Sequence, residues 1–350
     1  MKQTGPDGHR RLTLKDVARA ASVSHSTASR ALRNVGRVSH ETRMAVLAAA
    51  DRLGYSPNLM ARALKNGKTG TLSALVPRID GPPVSDMIAI LNDEMERAGR
   101  TLHLYCSFED AERQLEKLHL IRGNSDGVFA VPTGDLLIRG REDLTRETLR
   151  LIESMNAPVV FVDRYLEVPG AGVVCSDNER GAYEAVTYLV SLGHRAIGYL
   201  TGPPLSSVVE RLRGYRRALE QARIPFSEHL VERLVADSFE AGVEAAMRLL
   251  CRAPEITAVV TFNYNATVGV FAAVGRLGKQ IPKDLSLVAF DDVPEVSSIL
   301  VPITYVEQDV VNIGRHAAQL MLDMLQGGPA REIRVPPRLV VRQSVMPVRG

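Results

Sequence analysis

The sequence predicts an all-α helix-turn-helix head followed by an α/β body built on parallel sheets. Three observations carry that prediction. Residues 12–55 hold short helical patterns separated by tight polar turns. From residue 71 onward, short apolar runs alternate with helical stretches, the pattern of parallel strands covered by helices. Charge divides at the same place: residues 1–70 hold 13 Lys and Arg against 4 Asp and Glu, a net of +9, while the other 280 residues net −6. A basic head on an acidic body suits a polyanion as partner of the head alone.

At 350 residues the chain has room for a small head and a large body. No run of about 18 apolar residues exists, so no membrane span is expected. The opening MKQTGPDGHRRL lacks the apolar core of a secretion signal, which points to the cytoplasm. Cys106, Cys175 and Cys251 lie far apart without CxxC spacing, so reduced thiols are expected rather than disulfides or metal ligands.

In the head, Thr13 caps a first helix, with Asp16 at capping-box spacing. Ala21-Ser22-Val23-Ser24 makes the turn, and Ser24 caps a second helix over about 24–32. Ala28, Ala31 and Leu32 share its inward face, while His25, Ser26, Thr27, Ser29 and Arg30 point elsewhere. A helix with short polar residues at its start can press that end into a major groove. There Ser and Thr bond base edges or phosphates, and Arg30 can take guanine bidentately. Ser39 caps a third helix over about 40–53, with Val46, Leu47, Ala50 and Leu53 inward. Gly54 ends it and Tyr55 closes the small core.

The stretches TLKDVARAASVS, TASRAL, GRVSHETR, VLAAADRLGYSPN and ARALKNGKTGT resemble the head of the LacI/GalR family of bacterial transcription regulators. The resemblance puts the major-groove positions on His25, Ser26 and Arg30, with Thr27 and Ser29 nearer the phosphates. Residues 58–65 are too short to hold a helix alone in water. In the family the matching segment forms a helix on DNA, paired with its dimer mate in the minor groove. The resemblance makes Leu64 the wedge that enters the central base step, and Ala61 is small enough to let the helix sink in. Arg62 and Lys65 can meet phosphate, and Asn58 opens the segment. The expected divisions are 1–57 for the DNA-binding head, 58–70 for the hinge helix and linker, and 71–350 for the effector-binding and dimerisation body.

In the body, strands are expected at 72–76, 101–105, 127–131, 159–162, 196–200, 258–261, 285–290 and 303–306. Helices are expected between them, among others at 85–98, 178–192, 208–222, 241–250 and 309–326. Roughly 270 residues exceed one doubly wound unit, so two sheets are expected. Ligands of such folds sit beyond the carboxyl ends of strands. The polar residues just past those ends are Arg78 and Asp80, Asp163 and Arg164, Asn263 and Tyr264, and Asp291 and Asp292. No GxGxxG or GxxxxGK[ST] loop follows any strand, no cluster has metal spacing, and no nucleophile has a partnered base. Neither catalysis, cofactor nor metal is expected.

VDR at 162–164, SLGHRAIGYLTGP at 191–203, ERLRGY at 210–215 and DLSLVAFDD at 284–292 extend the resemblance over the body. It implies a two-lobed periplasmic-binding-protein-like fold with a cleft between the lobes. It carries effector positions over to Arg211, Asn263, Asp291, Asp163 and Gln308. His194 also matches but reads as a structural histidine. Where many sugar-responsive members place a stacking aromatic, this chain has Asp237. Tyr264 stands where the family has an acid, and Gly81-Pro82-Pro83-Val84 replaces an aromatic-containing turn. With Arg78, Arg164 and Arg211 in such a cleft, a sugar acid or phosphorylated sugar joins neutral sugars as a candidate effector.

Helix-turn-helix heads read two half-sites as a symmetric pair, so a homodimer on a palindromic double-stranded DNA operator is expected. The end of the chain, from Arg338, is strand-like and carries no leucine heptads for a tetramer-forming coil. The expected role is a repressor switched by the effector. An activator stays open, and a sugar-binding transport protein would leave the basic head unexplained.

Overall fold

Thr13 opens the first helix, α1 (Leu14–Ala20): Asp16 Oδ2 accepts from its backbone N–H at 3.0 Å and from its hydroxyl at 2.7 Å. Ser22, at φ +53°, turns the chain into α2 (His25–Leu32), whose Thr27 N–H donates to the Ser24 hydroxyl at 3.0 Å. That bond satisfies one of the donors a helix start leaves open. Ser39 caps α3 (His40–Arg52) in the same way, from Thr42 at 3.2 Å. Val17, Ala18, Ala28, Ala31, Val46, Ala49 and Ala50 form the core, with Leu32, Leu53 and Tyr55 packed at its edge. Leu47 departs from expectation: it is 42% exposed and Ala49 is inside. Leu47 and Ala49 flank the face that Val46 and Ala50 fix, on opposite sides of it, and the small core lies on the Ala49 side.

The structure, a computed structural model, describes residues 12–32, 36–55, 69–79, 84–134 and 141–348, apart from the Glu295 side chain. The chain divides into two compact units, Met1–Thr69 and Gly70–Gly350.

The second unit runs β1 (Thr71–Val76), α4 (Val84–Arg97), β2 (Thr101–Cys106), α5 (Ala111–Ile121), β3 (Val128–Ala130), α6 (Glu142–Glu153), β4 (Val159–Val162) and β5 (Gly172–Ser176). It continues with α7 (Asn178–Ser191), β6 (Ile197–Thr201), α8 (Ser206–Gln221), β7 (Val231–Arg233), α9 (Phe239–Arg252), β8 (Ala258–Thr261), α10 (Tyr264–Arg276) and β9 (Ser286–Phe290). Last come α11 (Pro294–Ile299), β10 (Thr304–Glu307), α12 (Val310–Leu325), β11 (Glu332–Val335) and β12 (Arg338–Val340). Two six-stranded sheets result, ordered β11-β5-β4-β3-β1-β2 and β12-β10-β9-β8-β6-β7. Every neighbouring pair is parallel except β10 with β12.

The inner strands of each sheet are buried on both faces, which is why they read as apolar runs. In the first lobe, Leu72, Ala74 and Val76 pack against α4 and α12, while Leu75 packs with α5 and α6 on the other face. In the second, α9 and α10 cover one face and α7 and α8 the other. Order reverses at β1/β3 and at β6/β8, the crevices where such sheets bind ligands.

Three segments join the lobes: β5 leads to α7, β10 leads back to α12, and β11 leads again to β12. The first and third are tied together, since Asp177 N–H donates to Val335 O at 2.8 Å. The chain end is pinned to the second lobe, where Ser344 takes Thr304 N–H at 2.8 Å and donates to Leu287 O at 2.6 Å.

Candidate nucleic-acid interface and effector cleft

On α2, His25, Ser26 and Arg30 are exposed, and Thr27 and Ser29 are half-buried. Ser24 Oγ lies 2.8 Å from the hydroxyls of both Ser26 and Thr27, so the cap holds these two side chains near the helix start. Arg30 Nε donates to Ser26 O at 3.4 Å, and its guanidinium stays at the surface. Thr13 is exposed, its hydroxyl turned to Asp16. Asn58, Ala61, Arg62, Leu64 and Lys65 lie outside the described residues, as does Asp80.

In the second unit, Asp163 follows β4 and Asp291 follows β9. Burial pushes the Asp291 carboxyl up to about 6, against Arg211 and the Gln308 amide, and the Asp163 carboxylate adds to the rise. Just past β4, Tyr165 N–H donates to Ser206 Oγ at the start of α8 at 3.0 Å, so the carboxyl ends of the two lobes face each other. Arg211, 5% exposed on α8, is at this junction. Its Nε donates to Asn178 Oδ1 at 2.8 Å and one terminal nitrogen to Phe262 O at 2.5 Å, and its plane lies 3.9 Å from the Phe290 ring centroid. Gln308, 6% exposed, donates from Nε2 to both Asp291 oxygens, at 3.1 and 2.9 Å.

Asn263 caps α10 through Oδ1, taken by Ala266 N–H at 3.0 Å. Its amide donates to Asp237 Oδ1 at 2.7 Å, and Asn265 donates to the same oxygen at 2.8 Å. Asp237 therefore lies beside Asn263. Arg78 is exposed just past β1. Tyr264 is 42% exposed.

The sequence did not reveal how the arginines are held. Arg164 donates to Glu109 at 3.0 Å and lies 3.5 Å from Asp163. Burial opposes its charge, but Glu109, Asp163 and Asp237 together hold it above its ordinary value. Burial likewise tends to raise Glu109, but Arg164 and bonds from Gly134 and Thr133 hold it below the usual carboxylate range. Asn178, Glu109 and Glu210 are thus site residues that sequence reasoning missed. Glu210, 3% exposed, accepts from the Tyr165 hydroxyl at 2.7 Å and pairs with Arg334 at 2.9 Å, joining α8 to the first lobe. A recess of about 330 Å³ opens on that joining side, between Arg213, Arg334 and Asp177.

His194 is 2% exposed and bonded to Thr257 at 2.8 Å and Met346 O at 3.0 Å, a structural role as expected. The three cysteines are unpaired, and burial pushes the Cys175 thiol up to about 12. Among the described residues no helix is long and apolar enough to cross a membrane, and no His/Cys/Asp/Glu group could hold a metal ion.

A helix-turn-helix unit joined to a two-sheet ligand-binding fold defines a class of DNA-binding regulators. Comparison bears this out. The family of bacterial regulatory proteins, lacI family, matches residues 13–58, and the periplasmic binding protein-like domain matches 186–345. The transcriptional regulator DegA of Bacillus subtilis is 30% identical over 96% of this chain and 98% of its own. The ribose operon repressor of the same species is 30% identical over 95% and 98%. Among solved structures, the lac repressor dimer bound to operator and an anti-inducer superposes with a TM-score of 0.78 at 25% identity, over 96% of this chain and 99% of that one. A complex of the regulator CelR with cellobiose gives 0.69 at 28%, over 95% and 100%. The chain belongs to the lacI family of bacterial transcription regulators.

Proposed function

We propose that the protein is a repressor that binds a palindromic operator as a homodimer and is switched by a small polar effector, a sugar or sugar derivative, held between the lobes. Operator binding would place its work in the cytoplasm. The observation that carries the reading is the convergence of Arg211, Asp291, Gln308 and Asn178 at facing strand ends, in a chain whose other unit presents Ser26 and Arg30 on a capped helix. His25, Ser26 and Arg30 would read base edges, with Thr13, Ser24, Thr27 and Ser29 nearer the phosphates. Residues 58–65 would pair in the minor groove, with Leu64 as the wedge. The relatives' names support the effector class: one is a ribose operon repressor and one structure holds cellobiose.

The mechanism is a coupling of two equilibria. An effector bonded to both lobes favours one setting of α8 and the three joining segments. Operator affinity then changes by the factor by which the effector prefers that setting. A tenfold change needs about 1.4 kcal/mol of differential binding. No step requires turnover.

A footprint on DNA flanking the protein's own gene tests the reading. The expected result is a pseudo-palindromic protection of about two helical turns, centred on a flexible pyrimidine–purine step. Protection of a single half-site would count against the dimer, and no protection against the reading of the head.

A further inference from the structure

The bonds already made within the cleft bear on the charge of its effector. Three arginines near these strand ends turn bonds on the protein. Arg164 is bonded to Glu109 and Pro132 O, Arg211 to Asn178 and Phe262 O, and Arg233 to Gly202 O. The carboxylates are placed differently. Asp237 is held by the neutral amides of Asn263 and Asn265, and Asp291 by the neutral amide of Gln308. Neither has a cation within 4.0 Å among the ion pairs of the described residues.

A further acceptor lies at the same spot. Gln308 is 6% exposed and uses Nε2 on Asp291, and its Oε1 is buried with no hydrogen-bond partner. A buried acceptor left unmet costs the desolvation of that group, so it favours a donor brought in by a ligand. An acceptor without a donor thus lies beside two carboxylates whose direct hydrogen bonds come from neutral amides.

Resting on the reading that an effector occupies this cleft, we infer that it is an amine-bearing polyhydroxy compound, such as an amino sugar, rather than a sugar acid or sugar phosphate. Its ammonium group would sit against Asp237 or Asp291, and its hydroxyls would meet Arg211, Asn263 and the Gln308 carbonyl. A buried carboxyl whose ionisation is opposed in the empty cleft gains more from a cation than an exposed one does. An anion would meet these carboxylates with its own charge.

Titration calorimetry of the full-length protein tests this with matched sets: glucosamine, glucose, glucuronate and glucose 6-phosphate, and the same four forms of galactose. The expected result is that the amine binds at least about tenfold tighter than its neutral parent in one set, and that the acid and phosphate bind weakest. Asp237→Asn and Asp291→Asn, made singly, should lower the amine toward its parent; one of them suffices if the other fails to fold. If the neutral sugar binds as tightly as the amine, or the acid or phosphate binds tightest, the inference is overturned, while the effector reading stands provided Arg211→Lys weakens that binding. If no compound of either set binds, the effector reading falls with it.

Discussion

Asp163 and Asp291 end corresponding strands of the two lobes in the same left-handed backbone conformation, at φ +66° and +63°. Each donates its N–H to the adjoining strand at 3.0 Å, Asp163 to Val174 O and Asp291 to Val306 O. Left-handed backbone is uncommon outside glycine, and Asp tolerates it better than most residues. The two lobes thus repeat one local device, which turns a carboxylate off the end of a parallel strand toward the facing lobe.

Asp291→Asn should make the unliganded protein more stable at pH 7.5. Burial raises the folded pKa from 3.8 to about 6, so the folded state holds this proton more tightly than the unfolded chain. The contribution is full below the unfolded value and is lost as pH rises through the folded one. Asparagine keeps an acceptor for Gln308 and removes the charge. Urea denaturation should show a gain of about 1–2 kcal/mol at pH 7.5 and a flatter profile between about pH 4 and 6. A loss at pH 7.5 would show that the carboxylate is stabilised in the fold.

Arg211→Lys should weaken both stability and any effector binding. Lysine cannot keep the Nε bond to Asn178, the bond to Phe262 O and the stacked plane over Phe290 together. A loss of about 2–3 kcal/mol is expected in denaturation. DNA binding in the absence of effector should change little, as measured by fluorescence anisotropy.

Gly214→Ala should be among the most damaging single methyl additions. A Cβ on Gly214 would overlap the carbonyl oxygen of Glu179 and come within 2.9 Å of Tyr183 N, both backbone atoms. Helices α7 and α8 would have to separate, costing about 3 kcal/mol. A melting temperature close to wild type would contradict the close approach.

Arg30→Ala should lower operator affinity by about 1–3 kcal/mol and relax sequence preference at one position of each half-site. Leu64→Ala should weaken specific binding more than nonspecific binding. Equal loss on both kinds of DNA would argue against a wedge.

Much of this fold is legible in the amino-acid sequence. Strands buried on both faces, such as Val159–Val162 and Ala258–Thr261, read as short, mostly apolar runs and fall where expected. The strands that escape notice are short or mixed in character. Glu332–Val335 alternates Glu, Ile, Arg and Val at a sheet edge, and Val231–Arg233 is three residues long. Gly172–Ser176 opens on a glycine that reads as loop, yet a Cβ there would press on Leu320. The cleft is legible as a set of strand-end residues, and the structure brings Asp163, Arg211, Asn263, Asp291 and Gln308 to facing ends. Their pairing is not legible. Glu109 reaches Arg164 from 55 residues away, out of a turn whose Phe108 and Glu109 both have positive φ. Sequence alone counted Arg164 as a charge open to an anion.

The central claim is that the cleft governs the grip of the head on DNA. Its most direct test is the anisotropy of a labelled operator, taken from the footprint, titrated with protein with and without the compound that calorimetry shows to bind. The account predicts a shift in operator affinity of at least about tenfold in wild type, abolished in Arg211→Lys at the same compound concentration. Unchanged operator affinity with the cleft saturated would contradict it.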